Sequence, residues 1–305
     1  MKIGLIDVDG HNFPNLPLMK LSAWHKQNGD TVEWYSPMFS GHMDKVYMSK
    51  VFTFTPDYQW CIDADEIIKG GTGYHYPDGG KMLPDYIEHI YPDYTIYYDR
   101  IPEVKNTAYG FLTRGCPRGC EFCIVGKKEG LCANKVADLS EFWNGQKNIV
   151  LLDPNMFACV DWRDLSQQLI ASRAWIDFSQ GCDIRLMTEE KVEMLKQMKI
   201  KQVHFAWDKY EDRDRVLPKF KMFKEITGWD KRKLPVYVLV NFDTTLQQDL
   251  ERIYTLRELG YWPYVMIYEK EKLPKGHILR KLQRWVNMRA VFEKIRDFDE
   301  YGRRN

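Results

Sequence analysis

The sequence predicts an α/β protein in two parts, a small Rossmann-like domain followed by a run of six β/α units. Three observations predict it. Short apolar runs bounded by turn residues recur along the chain. Helix-length amphipathic stretches separate the later runs, so those strands are joined by crossovers and lie parallel. A stretch rich in Tyr, Pro and Asp over 75–107 divides the two series; it is turn-rich, yet too aromatic for a disordered linker.

The first strand is Lys2-Ile3-Gly4-Leu5-Ile6-Asp7, apolar and ending in acid. A turn over 9–15 precedes a helix carrying Leu16, Met19, Leu21 and Trp24, stopped near Asn28-Gly29. Strands are expected over 31–35 and 45–53, and Glu66-Ile67-Ile68-Lys69 leads into the glycine turn Gly70-Gly71-Thr72-Gly73. The second series starts with Tyr109-Gly110-Phe111-Leu112. Asp138 and Glu141 have capping-box spacing ahead of a short helix. Strands then follow at 148–152, 174–178, 202–207, 235–240 and 262–267, with helices at 161–172, after the cap Thr188, at 210–226 and at 245–259. Residues 277–305 read as one long helix with an apolar side of Ile278, Leu282, Trp285, Phe292 and Ile295 and a basic side of Arg280, Lys281, Arg284, Arg289, Lys294 and Arg296. The domain boundaries implied are 1–104, 105–276 and 277–305.

Composition narrows the function. With 305 residues, 44% of them apolar, the chain can bury one large core or two ordinary ones. The formal net charge of +1 gives no global field for nucleic acid or membrane. No secretory segment or long apolar run is present, and seven unevenly spaced cysteines point to a reducing cytoplasm where thiols serve metal chemistry.

The chemistry concentrates in Gly115-Cys116-Pro117-Arg118-Gly119-Cys120-Glu121-Phe122-Cys123. Three thiolates at C-x3-C-x2-C spacing can ligate three irons of a [4Fe–4S] cubane, leaving the fourth iron open to the amino and carboxylate groups of S-adenosylmethionine. Two other classes use the same residues. A zinc-stabilised nucleic-acid-binding module would recruit Cys132 as a fourth thiolate, although paired C-x2-4-C ligands are the usual zinc pattern. An Fe–S electron-transfer protein would need a fourth protein ligand.

At this motif the chain resembles the radical S-adenosylmethionine (radical SAM) superfamily, whose pattern is C-x3-C-x-aromatic-C. The resemblance implies reductive cleavage of S-adenosylmethionine to a 5′-deoxyadenosyl radical. Phe122 fills the aromatic slot, near the adenine in that family. The six units match its partial (β/α)6 TIM-type barrel, with chemistry at the carboxyl ends of the strands. Asp153 or Asn155 would meet the amino group of the cosubstrate, since the family's Gly-Gly-Glu-Pro-like segment is missing here. Ser179, Gln180 and Asp183 would meet ribose hydroxyls and Arg185 the carboxylate, because Gly181-Cys182-Asp183-Ile184-Arg185 resembles a G-x-D-x-R segment of methylthiotransferase-type barrels. The implied partners are a reductant such as flavodoxin or ferredoxin and a substrate that is RNA, peptide or small molecule, undergoing methylation or sulfur insertion. The first part more distantly resembles a cobalamin-binding-type domain. Asp9 and His11 match two positions of D-x-H-x-x-G, Pro14 replaces the glycine, and Gly70-Gly71 matches a later pair, so a degenerate domain is expected. His204, inside an apolar strand, is expected as a hydrogen-bonded core residue.

Overall fold

A computed structural model describes residues 1–10 and 12–304. The protein is α/β, its larger sheets are parallel, and it divides into two compact units, Met1–Leu152 and Asp153–Asn305.

The first unit opens on a four-stranded parallel sheet built from β1 (Lys2–Asp7), β2 (Thr31–Trp34), β3 (Met43–Ser49) and β4 (Ala64–Gly70), in the order β2-β1-β3-β4. Both faces are covered, so β1 reads as a continuous apolar run. Ile3 and Leu5 pack on Leu18 and Leu21 of helix α1 (Leu16–Gln27), and Ile6 packs with Val46 and Met48. Asn15 caps α1 by accepting from Leu18 N at 3.3 Å, and Asn28 ends it. The strand expected over 45–53 stops at Ser49, and the 66–69 stretch belongs to a full edge strand, β4.

The aromatic connector is packed, as its composition implies. After the short helix α2 (Asp85–Glu88), Tyr94 and Tyr97 are 4% and 2% exposed. The Tyr94 hydroxyl donates to Phe142 O at 2.7 Å and accepts from Tyr109 N at 3.0 Å. The Tyr97 hydroxyl donates to Asp7 at 2.6 Å and accepts from Asn15 N at 3.0 Å. These bonds tie the connector to both sheets of the unit.

Strand β5 (Thr107–Gly110) pairs in parallel with β8 (Asn148–Leu151). Between them the chain makes one excursion: β6 (Thr113–Arg114), a loop holding the short helix α3 (Val125–Lys128), and β7 (Asn134–Lys135), which returns antiparallel to β6. The capping box at Asp138 and Glu141 is present, on a single 3-10 turn.

The second unit alternates helix and strand as expected: α4 (Trp162–Ser172), β9 (Trp175–Phe178), α5 (Glu189–Gln197), β10 (Lys199–Val203), β11 (Phe205–Ala206), α6 (Arg213–Thr227), β12 (Pro235–Val240), α7 (Leu246–Glu258) and β13 (Trp262–Ile267). Thr188 caps α5, and Thr245 with Gln248 forms a capping box on α7. The pairings β9–β10, β11–β12 and β12–β13 are all parallel. The single strand expected over 202–207 is broken at His204: β10 pairs with β9, and β11 pairs with β12.

Residues 278–304 fold as three helices, α8 (Ile278–Asn287), α9 (Arg289–Lys294) and α10 (Phe298–Arg304), where one was expected. Met288 and Ile295 are extended, and the Trp285 indole donates to Ile295 O at 2.9 Å. Trp285 stacks edge-on to Phe292 and lies 5.4 Å from the Phe298 ring, so aromatic packing turns the chain back where no Gly or Pro does. Helix α8 covers the free edge of β13. Asn287 accepts from Val265 N at 2.8 Å and donates to Val265 O at 3.0 Å, and Gln283 donates to the same oxygen at 3.0 Å. The amide of Asn287 takes the place of a neighbouring strand residue.

Candidate active site

The cysteine loop leaves β6, beyond the carboxyl end of β5, and is fixed at its base by main-chain bonds. Gly115 has φ +85, and a Cβ there would sit 2.1 Å from Cys132 O, so only glycine fits. Its N–H donates to Glu129 Oε2 at 3.2 Å, and Cys116 N donates to Gly130 O at 3.2 Å. Cys123 N closes a turn on Cys120 O at 3.0 Å. Arg114 reaches Glu129 and Glu88, each at 3.4 Å, and Lys20 reaches Glu88 at 2.9 Å. This ladder secures the loop to α1 and α2.

Cys116, Cys120, Cys123 and the Phe122 ring are all partly exposed, and none of the seven cysteines is in a disulfide. Three accessible thiols in one eight-residue span suit the donor chemistry of an Fe–S cluster. Zinc asks for donors converging on one ion. Among the described residues no three His, Cys, Asp or Glu side chains form a group that could hold a metal ion. A cubane's thiolates bind separate irons of one compact cluster, so they too must converge, around a larger centre than a single ion.

In the second unit the strand ends carry a different construction. Asp153 and Asn155 are 3% and 1% exposed. Cys182 is buried, and burial first, then the charges of Asp153 and Asp183, push its thiol up. Asp153, Cys182 and Asp183 therefore share one neighbourhood. Asp183 caps the turn Ile184–Leu186 by accepting from Arg185 N at 3.0 Å, and it also accepts from Arg185 Nε at 2.7 Å. The other end of the Arg185 guanidinium bonds Asp212, so this arginine spans two carboxylates. Ser179 O accepts from the Tyr237 hydroxyl at 3.0 Å, while Gln180 is exposed. Cys159, like Cys182, is a buried thiol.

Sequence reasoning missed the anchor of this region. Arg252 on α7 is fully buried. It donates to Trp207 O at 2.6 Å and Asp208 O at 2.5 Å, past the end of β11, and to Leu239 O at 2.8 Å in β12. It also pairs with buried Asp249 at 2.6 Å. One guanidinium thus holds two strand ends in place. The signal in sequence was an Asp three residues before an Arg, which usually marks an exposed helix pair. Burial lifts the Asp208 carboxyl to about 6 against the pull of Arg252.

His204 occupies the break between β10 and β11. Its Nδ1–H donates to Phe178 O at 3.0 Å and lies 3.6 Å from Asp177 Oδ1, and its ring stacks on Tyr237 with centroids 5.3 Å apart. Burial holds His204 below the usual histidine range and Asp177 above the usual carboxylate range. It is the hydrogen-bonded histidine expected, placed where one strand passes from one partner to the next.

Past the end of β1, Asp9 is held by the chain itself. Asp9 accepts from Phe52 N at 3.3 Å and Thr55 Oγ1 at 2.7 Å and also holds Val51 N. Gly71, φ +93, lies against Lys50 O, which a Cβ would approach to 2.4 Å. Asp9 is thus committed to the loop after β3, and Gly71 to close backbone contact. His11, the other half of the D-x-H match, lies outside the described residues.

No family model matches the chain, and no curated protein matches it by sequence. Among solved structures, Streptococcus suis SuiB bound to S-adenosylmethionine matches at 13% identity and TM-score 0.43, covering 71% of this chain and 53% of SuiB. SuiB bound to the precursor peptide SuiA matches at 13% identity and TM-score 0.41, covering 66% and 51%. The chain spans about half the length of the structures it matches, and a likeness this slight does not speak to function.

Proposed function

We propose that the protein is a radical SAM enzyme in which Cys116, Cys120 and Cys123 hold a [4Fe–4S] cluster. The observation that carries this is the C-x3-C-x2-C loop itself, seated past the carboxyl end of a parallel strand and locked at its base by Gly115. The chemistry the cluster supplies when bound is one-electron cleavage of S-adenosylmethionine to a 5′-deoxyadenosyl radical. The chain's own residues bind and orient. Phe122 offers an aromatic face for the adenine. Asp153 and Asn155 serve the amino group, and Ser179, Gln180 and Asp183 the ribose. Arg185 meets the cosubstrate as part of its network with Asp183 and Asp212. The architecture that goes with this reading is a partial (β/α)6 barrel over 105–276 after a Rossmann-like domain over 1–104, with 277–305 closing the chain. The amino-terminal domain is read as a degenerate cobalamin-binding type, because Asp9 is already committed to its own loop. A flavodoxin or ferredoxin would supply the electron, in the cytoplasm.

The test is anaerobic purification and reconstitution, with iron and sulfide counted and 5′-deoxyadenosine measured under a chemical reductant. Serine at Cys116, Cys120 or Cys123 should abolish both iron retention and cleavage, whereas Cys132→Ser should keep them. A colourless protein holding zinc through Cys132 overturns the proposal. So does a cluster that needs Cys132 and yields no 5′-deoxyadenosine.

A further inference from the structure

The C-terminal helices carry a feature that the cluster does not use. A cleft of about 540 Å³ opens between β13, the 268–277 loop and α8. Lys270, Lys275, Arg280, Lys281 and Arg284 line it, with Tyr264 from β13, and among the described residues no carboxylate lines it. The whole chain is close to neutral at +1, so this is a local concentration of positive charge. Glu269 is spent on Lys272 at 2.6 Å, and neither residue lines the cleft. Among the described residues Lys270, Lys275, Lys281 and Arg284 form no ion pair. Arg280 donates to Lys270 O at 2.6 Å and Leu273 O at 2.9 Å, which shapes the loop, while its buried Nε has no acceptor. Holding five like charges on one concavity is repulsive without an anion there.

The anion's class follows from the remaining side chain. Tyr264 is 43% exposed, and its ring is braced edge-to-face by Tyr237 at 5.8 Å. A braced, half-exposed aromatic beside clustered cations is the combination that binds nucleotides, by stacking a base and neutralising phosphate. An acidic peptide would use the cations and leave the ring idle. We infer that this cleft binds a nucleotide unit, carried either by single-stranded nucleic acid or by a free nucleotide. The inference stands apart from the cluster reading, since binding is measured without turnover.

The experiment follows fluorescence anisotropy of a labelled single-stranded RNA of about twelve nucleotides on the full-length, anaerobically prepared protein. Expected is a Kd that weakens with salt at a log–log slope of about −2 to −3, as three or four phosphate contacts give on a single strand. Lys281→Glu with Arg284→Glu should weaken binding by about tenfold or more, and these side chains have no intramolecular partner to lose. Tyr264→Ala should weaken it by about fivefold to a hundredfold, the worth of one stacked base. Adenosine monophosphate is titrated as competitor: displacement at matching affinity assigns a free nucleotide, and failure to displace assigns the strand. Three results overturn the inference. They are no binding at low salt, equal binding by the charge-reversed variant, and displacement by polyglutamate together with an indifferent Tyr264→Ala.

Discussion

The cysteine loop of the first unit and the strand-end cluster of the second both follow the carboxyl ends of parallel strands, yet they are held by opposite means. The loop is fixed at its base by a glycine at positive φ and by N–H bonds to the Glu129 carboxylate and Gly130 O, with a half-buried ion-pair ladder behind it and thiols left partly exposed. The cluster is fixed by buried charge: Arg252 on three carbonyls and Asp249, and Arg185 across Asp183 and Asp212. Under the proposed function the difference has a reason: thiols that are to receive metal must stay reachable and deformable, whereas groups that are to read polar atoms of a ligand must be set beforehand.

The sharpest way to break that contrast is Arg252→Ala. It strands buried Asp249 and three carbonyls and should cost about 3–5 kcal/mol, read as a lower urea midpoint. If the loss is small, buried charge is not what holds the strand ends. Gly115→Ala tests the other side. It puts a Cβ on Cys132 O and forces a strained φ, so about 3 kcal/mol should be lost, and iron retention should fall while the second unit's fluorescence signal stays.

Asp208 probes how far burial sets the cluster's charges. Burial sets its folded pKa at about 6, above the ordinary aspartate value of 3.8, so the folded state binds the extra proton between these values. Stability from this group is therefore present below pH 3.8 and lost as pH rises through 6. Asp208→Asn should remove that slope and gain about 2 kcal/mol at pH 7 relative to pH 4. A variant with an unchanged profile would show Asp208 already ionised in the folded protein. The smallest effect is expected of Tyr237→Phe, which loses one hydrogen bond to Ser179 O and about 1 kcal/mol in thermal or urea unfolding.

What was legible in sequence follows the same division. The three cysteines lie within one short span, so their spacing alone exposed the loop. The strands were legible because parallel strands buried on both faces read as near-continuous apolar runs, as in Pro235-Val236-Tyr237-Val238-Leu239-Val240. Features set by distant contacts were not. The break at His204 depends on β9 and β12 taking different halves of one apolar run. The breaks at Met288 and Ile295 depend on Trp285, Phe292 and Phe298 packing together across residues with ordinary helical propensity. Arg252 looked like a surface residue because one-dimensional spacing cannot report burial.

The Asn287 amide on the rim of β13 has a practical outcome for anyone shortening this chain. Cutting before α8 would bare a ribbon of unmet donors and acceptors at Val265, ready to zip onto another copy, so truncated forms should precipitate from solution or appear as dimers. Two carboxamide side chains, Asn287 and Gln283, work there as a stopper against self-adhesion.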